Sequence, residues 1–190
     1  MSDARERLPP IAEAALSEAQ RAAVTEMLAG PRGRIVGPFQ AMLRSPELTR
    51  RVQKVGEFLR FGGVLPGRLR ELAILMTARH WTQHYEWHAH RPLGIAEGLA
   101  EALVDAIAAG RRPESIAGDD ALVHDFCAEF LHNRSVSDAS YARAVARFGE
   151  PAVVELVVLM GYYGLLAGTM NVARTALPEG AAPELAALPA

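Results

Sequence analysis

RELAILMTARHWTQHYEWHAHRPL, Arg70–Leu93, holds four of the six histidines of the chain, both tryptophans and two glutamates. Read as one unbroken helix, it would place Glu71 about 30 Å from His90, at about 1.5 Å of rise per residue. Read with a turn near His80–Thr82, it becomes two antiparallel helices, RELAILMTAR and QHYEWHAH. Glu71 then faces His90 across the pair, since the two lie at similar distances from the turn. The fold and the chemistry of the chain both hang on that turn, which periodicity alone does not decide.

Within the second segment two faces compete. His80, His84 and His88 recur every four residues and would share one helical face. The metalloprotease pattern needs glutamate directly after its first histidine, whereas HYEWH places it one residue later. No further ligand follows at suitable spacing, and a metal site is not expected. Gln83, Glu86 and His90 fall at i, i+3 and i+7, with Trp87 alongside. A carboxylate one turn from an imidazole among aromatic rings suits proton transfer, because burial moves carboxyl and imidazole pKa values toward neutrality. A solvated Glu–His pair, contributing a few tenths of a kcal/mol, fits the spacing equally well. A Glu71 brought opposite His90 tips the balance toward chemistry.

The remainder of the chain bounds the answer. Its 190 residues are most simply one domain, half of them apolar, with a formal net charge of −2. The arginines are scattered without a basic block, which argues against nucleic acid as a partner. Cys127 is the only cysteine, so neither an internal disulfide nor a two-cysteine redox couple can form within the chain. The charged start MSDARERLPP lacks the apolar run of a signal peptide, and a cytoplasmic location is expected. Pro151–Met170 is nearly long and apolar enough to span a bilayer. Glu155, several glycines and the lack of a second span favour a buried core helix instead, and no membrane partner is expected.

Turn signals divide the chain into about eight helices, an all-α bundle. LSEAQRAAVTEMLAG starts at Ser17 and stops at Gly30; SPELTRRVQKVGEFLRFGG has Ser45 as cap, Pro46 at its first position and Gly62-Gly63 as its end. PRGRIVGPFQ between them reads as loop. Further helices begin near Pro66, over AEGLAEALVDAIAAG, over DDALVHDFCAEFLHN, from Ser137 or Asp138, and from Pro151. The Ala/Pro-rich tail beyond Pro178 reads as peripheral. GGVLPGR lacks the Lys-Ser/Thr of a phosphate loop and reads as a turn.

RELAILMTARHW and QHYEWHAHRPL, preceded by GPFQAMLRSPEL and GEFLRFGGVLPGRLRELAIL and followed by VLMGYYGLLAGTMNVARTALPEG, at suitable spacing, resemble the carboxymuconolactone decarboxylase family, whose AhpD-like fold is shared with alkylhydroperoxidases. The resemblance covers a core of about residues 37–175 of a single domain, 1–190. It implies an AhpD-like bundle, no metal or organic cofactor, a small-molecule substrate and a homo-oligomer, trimeric or hexameric. In the peroxidase branch a glutamate precedes C-x-H-C-x-x-x-H. On this chain that glutamate falls on Glu71 and the last histidine on His90, while the cysteine positions are Gln83 and Glu86 and the inner histidine is Tyr85. Peroxide reduction by a dithiol needs an attacking and a resolving thiol, so the chain resembles the cysteine-free decarboxylase branch and thiol peroxidase activity is not expected.

The resemblance implies a cofactor-free lyase or isomerase for a small carboxylated or lactone metabolite, with Glu71, Glu86 and His90 as the acid–base core. Arg79 or Arg91 would hold a substrate carboxylate; Phe39, Trp81, Tyr85 and Trp87, with Gln83 on the Glu86–His90 face, would contact substrate. A carboxylate at Glu86 repels an anionic substrate unless it is protonated or paired. Two other readings stay open: an antioxidant relic of the AhpD-like fold without its thiols, and a non-enzymatic oligomeric binding protein.

Overall fold

Ser17 starts the first long helix, α1 (Glu18–Ala29), through a reciprocal box. Its hydroxyl accepts from the Gln20 N–H at 3.2 Å, and the Gln20 side chain accepts from the Ser17 N–H at 2.9 Å. The computed structural model describes residues 5–187. Residues 1–4, where the charged N-terminal segment begins, and 188–190, at the end of the tail, lie outside the described residues. Among the described residues the fold is all-α, with eight α-helices and no strand, and it is compatible with an AhpD-like bundle.

The stretch read as loop after α1 contains a short helix, α2 (Pro38–Met42). Gly37 makes its abrupt start possible, with φ 52° and ψ −120°, a conformation that side chains resist. A Cβ there would also lie 2.6 Å from the Tyr85 ring. α3 (Pro46–Phe61) begins at its proline, but the Ser45 hydroxyl makes no cap bond. Thr49 ties the helix start to α2 instead, its hydroxyl within donating distance of the carbonyls of Met42 and Ser45.

α4 (Gly67–His80) and α5 (His84–Ala96) form the antiparallel pair. Trp81–Gln83 makes the turn, with Thr82 in the left-handed region at φ 46°. Gln83 then caps α5, its side-chain oxygen accepting from the Glu86 N–H at 2.9 Å. From the far side of the fold Asn171 latches this turn, donating to the Trp81 carbonyl at 3.1 Å and accepting from Gln83 at 3.3 Å. AEG, read from sequence as the start of the next helix, instead ends α5 and turns at Gly98; α6 is Glu101–Ala108. α7 (Gly118–Asn133) follows, and α8 (Asp138–Ala173) is broken at Gly149 (φ 82°, ψ 163°), just before Pro151.

α4 is the central helix. Every residue from Glu71 to Arg79 is buried, and α5, α6, α7 and α8 all pack against it. A helix apolar on nearly all sides must be enclosed in this way. α8 is two-faced: Leu156, Leu159, Met160, Tyr163, Leu166 and Met170 are buried, while Val154, Val158, Leu165 and Val172 face outward, each at least 45% exposed. Among the described residues it alone is long and apolar enough to cross a membrane, and half of its most apolar window is buried in the bundle. The tail beyond Pro178 is not peripheral. Leu185 is buried, the Ala186 carbonyl accepts from Arg79 Nη1 at 2.8 Å, and Glu184 lies 3.6 Å from both His88 and Arg91.

Gly94 lets α5 approach α4. A Cβ on it would lie 2.9 Å from Leu99 Cδ1, 3.2 Å from Leu75 Cδ1 and 3.6 Å from Glu71 Cβ. Gly94→Val therefore overpacks the pair and should cost about 1–3 kcal/mol. Urea denaturation of the two proteins measures the difference, and equal midpoints would show that the pair has slack.

Candidate active site

The hairpin brings Glu71 and His90 into direct contact. Glu71 Oε2 lies 2.7 Å from His90 Nδ1, with the two residues 2% and 7% exposed. Glu71 is thus the carboxylate that orients the ring. With Glu71 ionised, Nδ1 donates and Nε2 is left as the imidazole nitrogen open to another partner. Arg70 Nε stands 3.8 Å from the other carboxylate oxygen and offsets its charge. The Tyr163 ring of α8 meets the imidazole edge-on, with centroids 5.1 Å apart.

Glu86 sits one turn before His90 in quite different surroundings. It is 3% exposed, and neither carboxylate oxygen has a hydrogen-bond partner. Burial without compensation pushes its pKa well above the ordinary carboxylate value, which favours the neutral acid. Burial thus disfavours a competing anion beside His90. As a carboxylic acid Glu86 can donate a proton.

Glu86 and His90 line a small cavity of about 60 Å³, together with Phe39, Tyr85 and Tyr163. Three arginines that the sequence reading did not single out also line it: Arg32 and Arg34 from the loop before α2, and Arg60 from the end of α3. Arg32 lies over the Phe39 ring, 4.7 Å from its centroid. Its Nε and Nη2, and Nε of Arg60, are buried without hydrogen-bond partners. Unmatched guanidinium donors at a cavity wall are costly until an acceptor meets them. The sequence signal of Arg32 and Arg34 is faint, arginines in a Gly/Pro-rich stretch without acidic residues, and Arg60, one helical turn after Glu57, carries none.

The other sequence candidates lie elsewhere. Arg79 donates to the tail and lines a separate cavity, and Arg91 pairs with Asp105 and Glu184. Their guanidiniums are engaged by the tail and the surface, which a linear reading of α4 and α5 could not anticipate. Trp81 is 43% exposed and lies against Gly164 and Gly168 of α8, Trp87 is core, and Gln83 is spent on capping. His80, His84 and His88 take separate surroundings: beside Trp81, near Arg79 and near Glu184. Among the described residues, no group of three His, Cys, Asp or Glu side chains is placed to hold a metal ion. Cys127 is fully buried, and burial pushes its thiol up, away from the reactive thiolate.

Neither a scan against protein-family models nor a search of the curated proteins returns a match for this chain.

A raised Glu86 pKa has a stability consequence. Between the ordinary carboxylate value and the raised one, the folded state keeps a proton that the unfolded state has lost. Stability is therefore fully present at low pH and falls as pH climbs through that window. Glu86→Gln removes the ionisation while keeping the shape, so its advantage over the parent should grow from pH 5 to pH 8 in thermal melts. A constant difference across that range would mean that Glu86 is ionised in the folded protein.

Proposed function

We propose that the protein is a lyase or isomerase of the carboxymuconolactone decarboxylase type, acting by acid–base chemistry on a small carboxylated or lactone metabolite without a metal or organic cofactor. One observation carries the reading: His90, held by the buried Glu71, lines a single cavity together with an unpartnered Glu86 carboxyl and with Arg32 and Arg60, whose buried donors lack acceptors. Each part answers a requirement of the chemistry. The arginines receive the substrate carboxylate, in the role first expected of Arg79 or Arg91. His90 Nε2 supplies the base, held in its tautomer by Glu71. Glu86 supplies the acid, and the aromatic walls keep water out.

The pairing suits reactions in which charge develops beside a carbonyl. If a proton leaves carbon, His90 takes it and Glu86 returns one at the new position. If carbon dioxide leaves, the bonding electrons flow into an enolate, which Glu86 protonates. The imidazole oriented by Glu71 takes the role of base, and the carboxyl buried without a partner takes that of acid. The narrowness of the cavity favours a compact substrate over a drug-sized one.

The same reading includes a homo-oligomer, trimeric or hexameric. It is supported by the outer face of α8, where Pro151, Val154, Val158, Gly161, Leu165, Gly168 and Val172 recur at alternating spacings of three and four. That is the seam spacing of helices that pack side by side. Leu165→Glu should shift the light-scattering mass to that of a monomer, and an unchanged mass would remove α8 from the interface.

For catalysis, His90→Ala should lower kcat about a hundredfold or more, in the range general acid–base catalysis supplies. Arg60→Met should chiefly raise KM for a carboxylated substrate. A panel of small lactone acids, followed by carbon dioxide release and by isomer analysis, measures both. Turnover that survives His90→Ala in full would overturn the acid–base assignment.

A further inference from the structure

On the other side of α4 lies a second and larger cavity, of about 400 Å³, between α4, α6 and α7. It is reached from the C-terminal end of α4, about 12 Å of helix beyond Glu71. Met76, Ile107, Ala128 and Leu131 give it an apolar wall. Its polar lining is markedly cationic for a chain of net charge −2: Arg79, Arg111 and Arg112 and three histidines, His80, His124 and His132, against the single carboxylate of Asp125.

That carboxylate is already committed. Arg112 holds it through Nε and Nη2 at 2.8 and 3.0 Å, and His124 Nδ1 lies 3.1 Å from it. Arg79 is 5% exposed and has no carboxylate within ion-pair distance among the described residues. Its Nη1 is spent on the Ala186 carbonyl, whereas Nε is buried with no acceptor. Arg111 stands at the exposed mouth, also without a carboxylate partner among the described residues. A guanidinium taken out of water without a counter-charge is expensive, and a bound anion is what relieves it.

We infer that this cavity is a binding site for a small amphipathic carboxylate, its head on Arg79 and Arg111 and its apolar body against Met76, Ile107, Ala128 and Leu131. A carboxylate fits better than a compact inorganic anion, for two reasons. The free Nε edge of Arg79 presents a fork that suits two oxygens in one plane. The apolar wall has no use for an ion without a hydrophobic part. The site is separate from the one holding His90, shares no lining residue with it, and does not depend on the function proposed for that site.

Benzoate is the probe, with benzamide as its neutral counterpart, titrated into full-length protein carrying isotopically labelled histidine. Benzoate should move the ring resonances of His124 and His132 and leave that of His90 in place, while benzamide should move none of them at the same concentration. Arg79→Met and Arg111→Met should each weaken binding tenfold or more. Arg111, being exposed, keeps the test decisive if the Arg79 variant does not fold. Arg60→Met, at the other cavity, should leave the His124 and His132 shifts intact. The inference is overturned by shifts confined to His90, by equal binding of benzamide, by undiminished binding in Arg111→Met, or by no response at millimolar benzoate.

Discussion

The 2.7 Å contact between Glu71 and His90 joins two helices of opposite direction at a point where both groups are shut off from water. A carboxylate and an imidazole cannot be buried singly without a penalty of several kcal/mol, so the pair exists only while α4 and α5 stay in register. Three features hold that register. Thr82 adopts the left-handed conformation that reverses the chain, Asn171 clamps the turn from α8, and Gly94 allows the helices to close at Glu71. The dyad is therefore a property of the hairpin, and α4 can carry it because α5, α6, α7 and α8 pack around that helix.

Two glutamates within this one site have opposite surroundings, and the proposed chemistry rests on this difference. Glu71 has an imidazole and a nearby guanidinium to stabilise its negative charge; Glu86 has neither bond nor ion pair. The first is held as an orienting carboxylate and the second is driven toward the neutral acid. On the proposed reading, an anionic substrate meets less repulsion beside Glu86 than beside an ordinary carboxylate. The unmatched arginines that line the same space would favour its entry, since each would gain the acceptor it lacks.

What could be read from the chain was whatever depends on neighbours along it. Ser17, Pro46 and the glycine stops mark helix ends because capping is local, and the spacing of Glu86 and His90 fixes a shared face. The turn at His80–Thr82 could be posed as a condition, and Glu71 identified through it. The cationic side of the site was not legible. Arg32 and Arg60 come from a loop and a helix end that meet only after folding, while Arg79 and Arg91, close to His90 in sequence, are drawn off by the tail and by Asp105. The tail itself was misread for a related reason. Its Ala/Pro composition hides Leu185, whose burial depends on a surface assembled from other segments.

α8 ties the site to the outside of the bundle. Residues two apart on a helix point in nearly opposite directions, so Tyr163, which meets His90, stands back to back with Gly161 and Leu165 on the exposed seam. Nearby, Gly164 holds the backbone against Trp81, with the place of its Cβ 3.2 Å from the indole nitrogen, and Asn171 fastens the same helix to the turn. α8 is thus pinned to the hairpin at two heights and cannot slide without disturbing both the turn and the aromatic wall. Anything seated along Val154, Val158, Leu165 and Val172 would bear directly on a helix whose inner face positions the imidazole. The apolar outer face and the buried acid–base pair are consequently two sides of one structural element, and a change that tilts α8 must alter both.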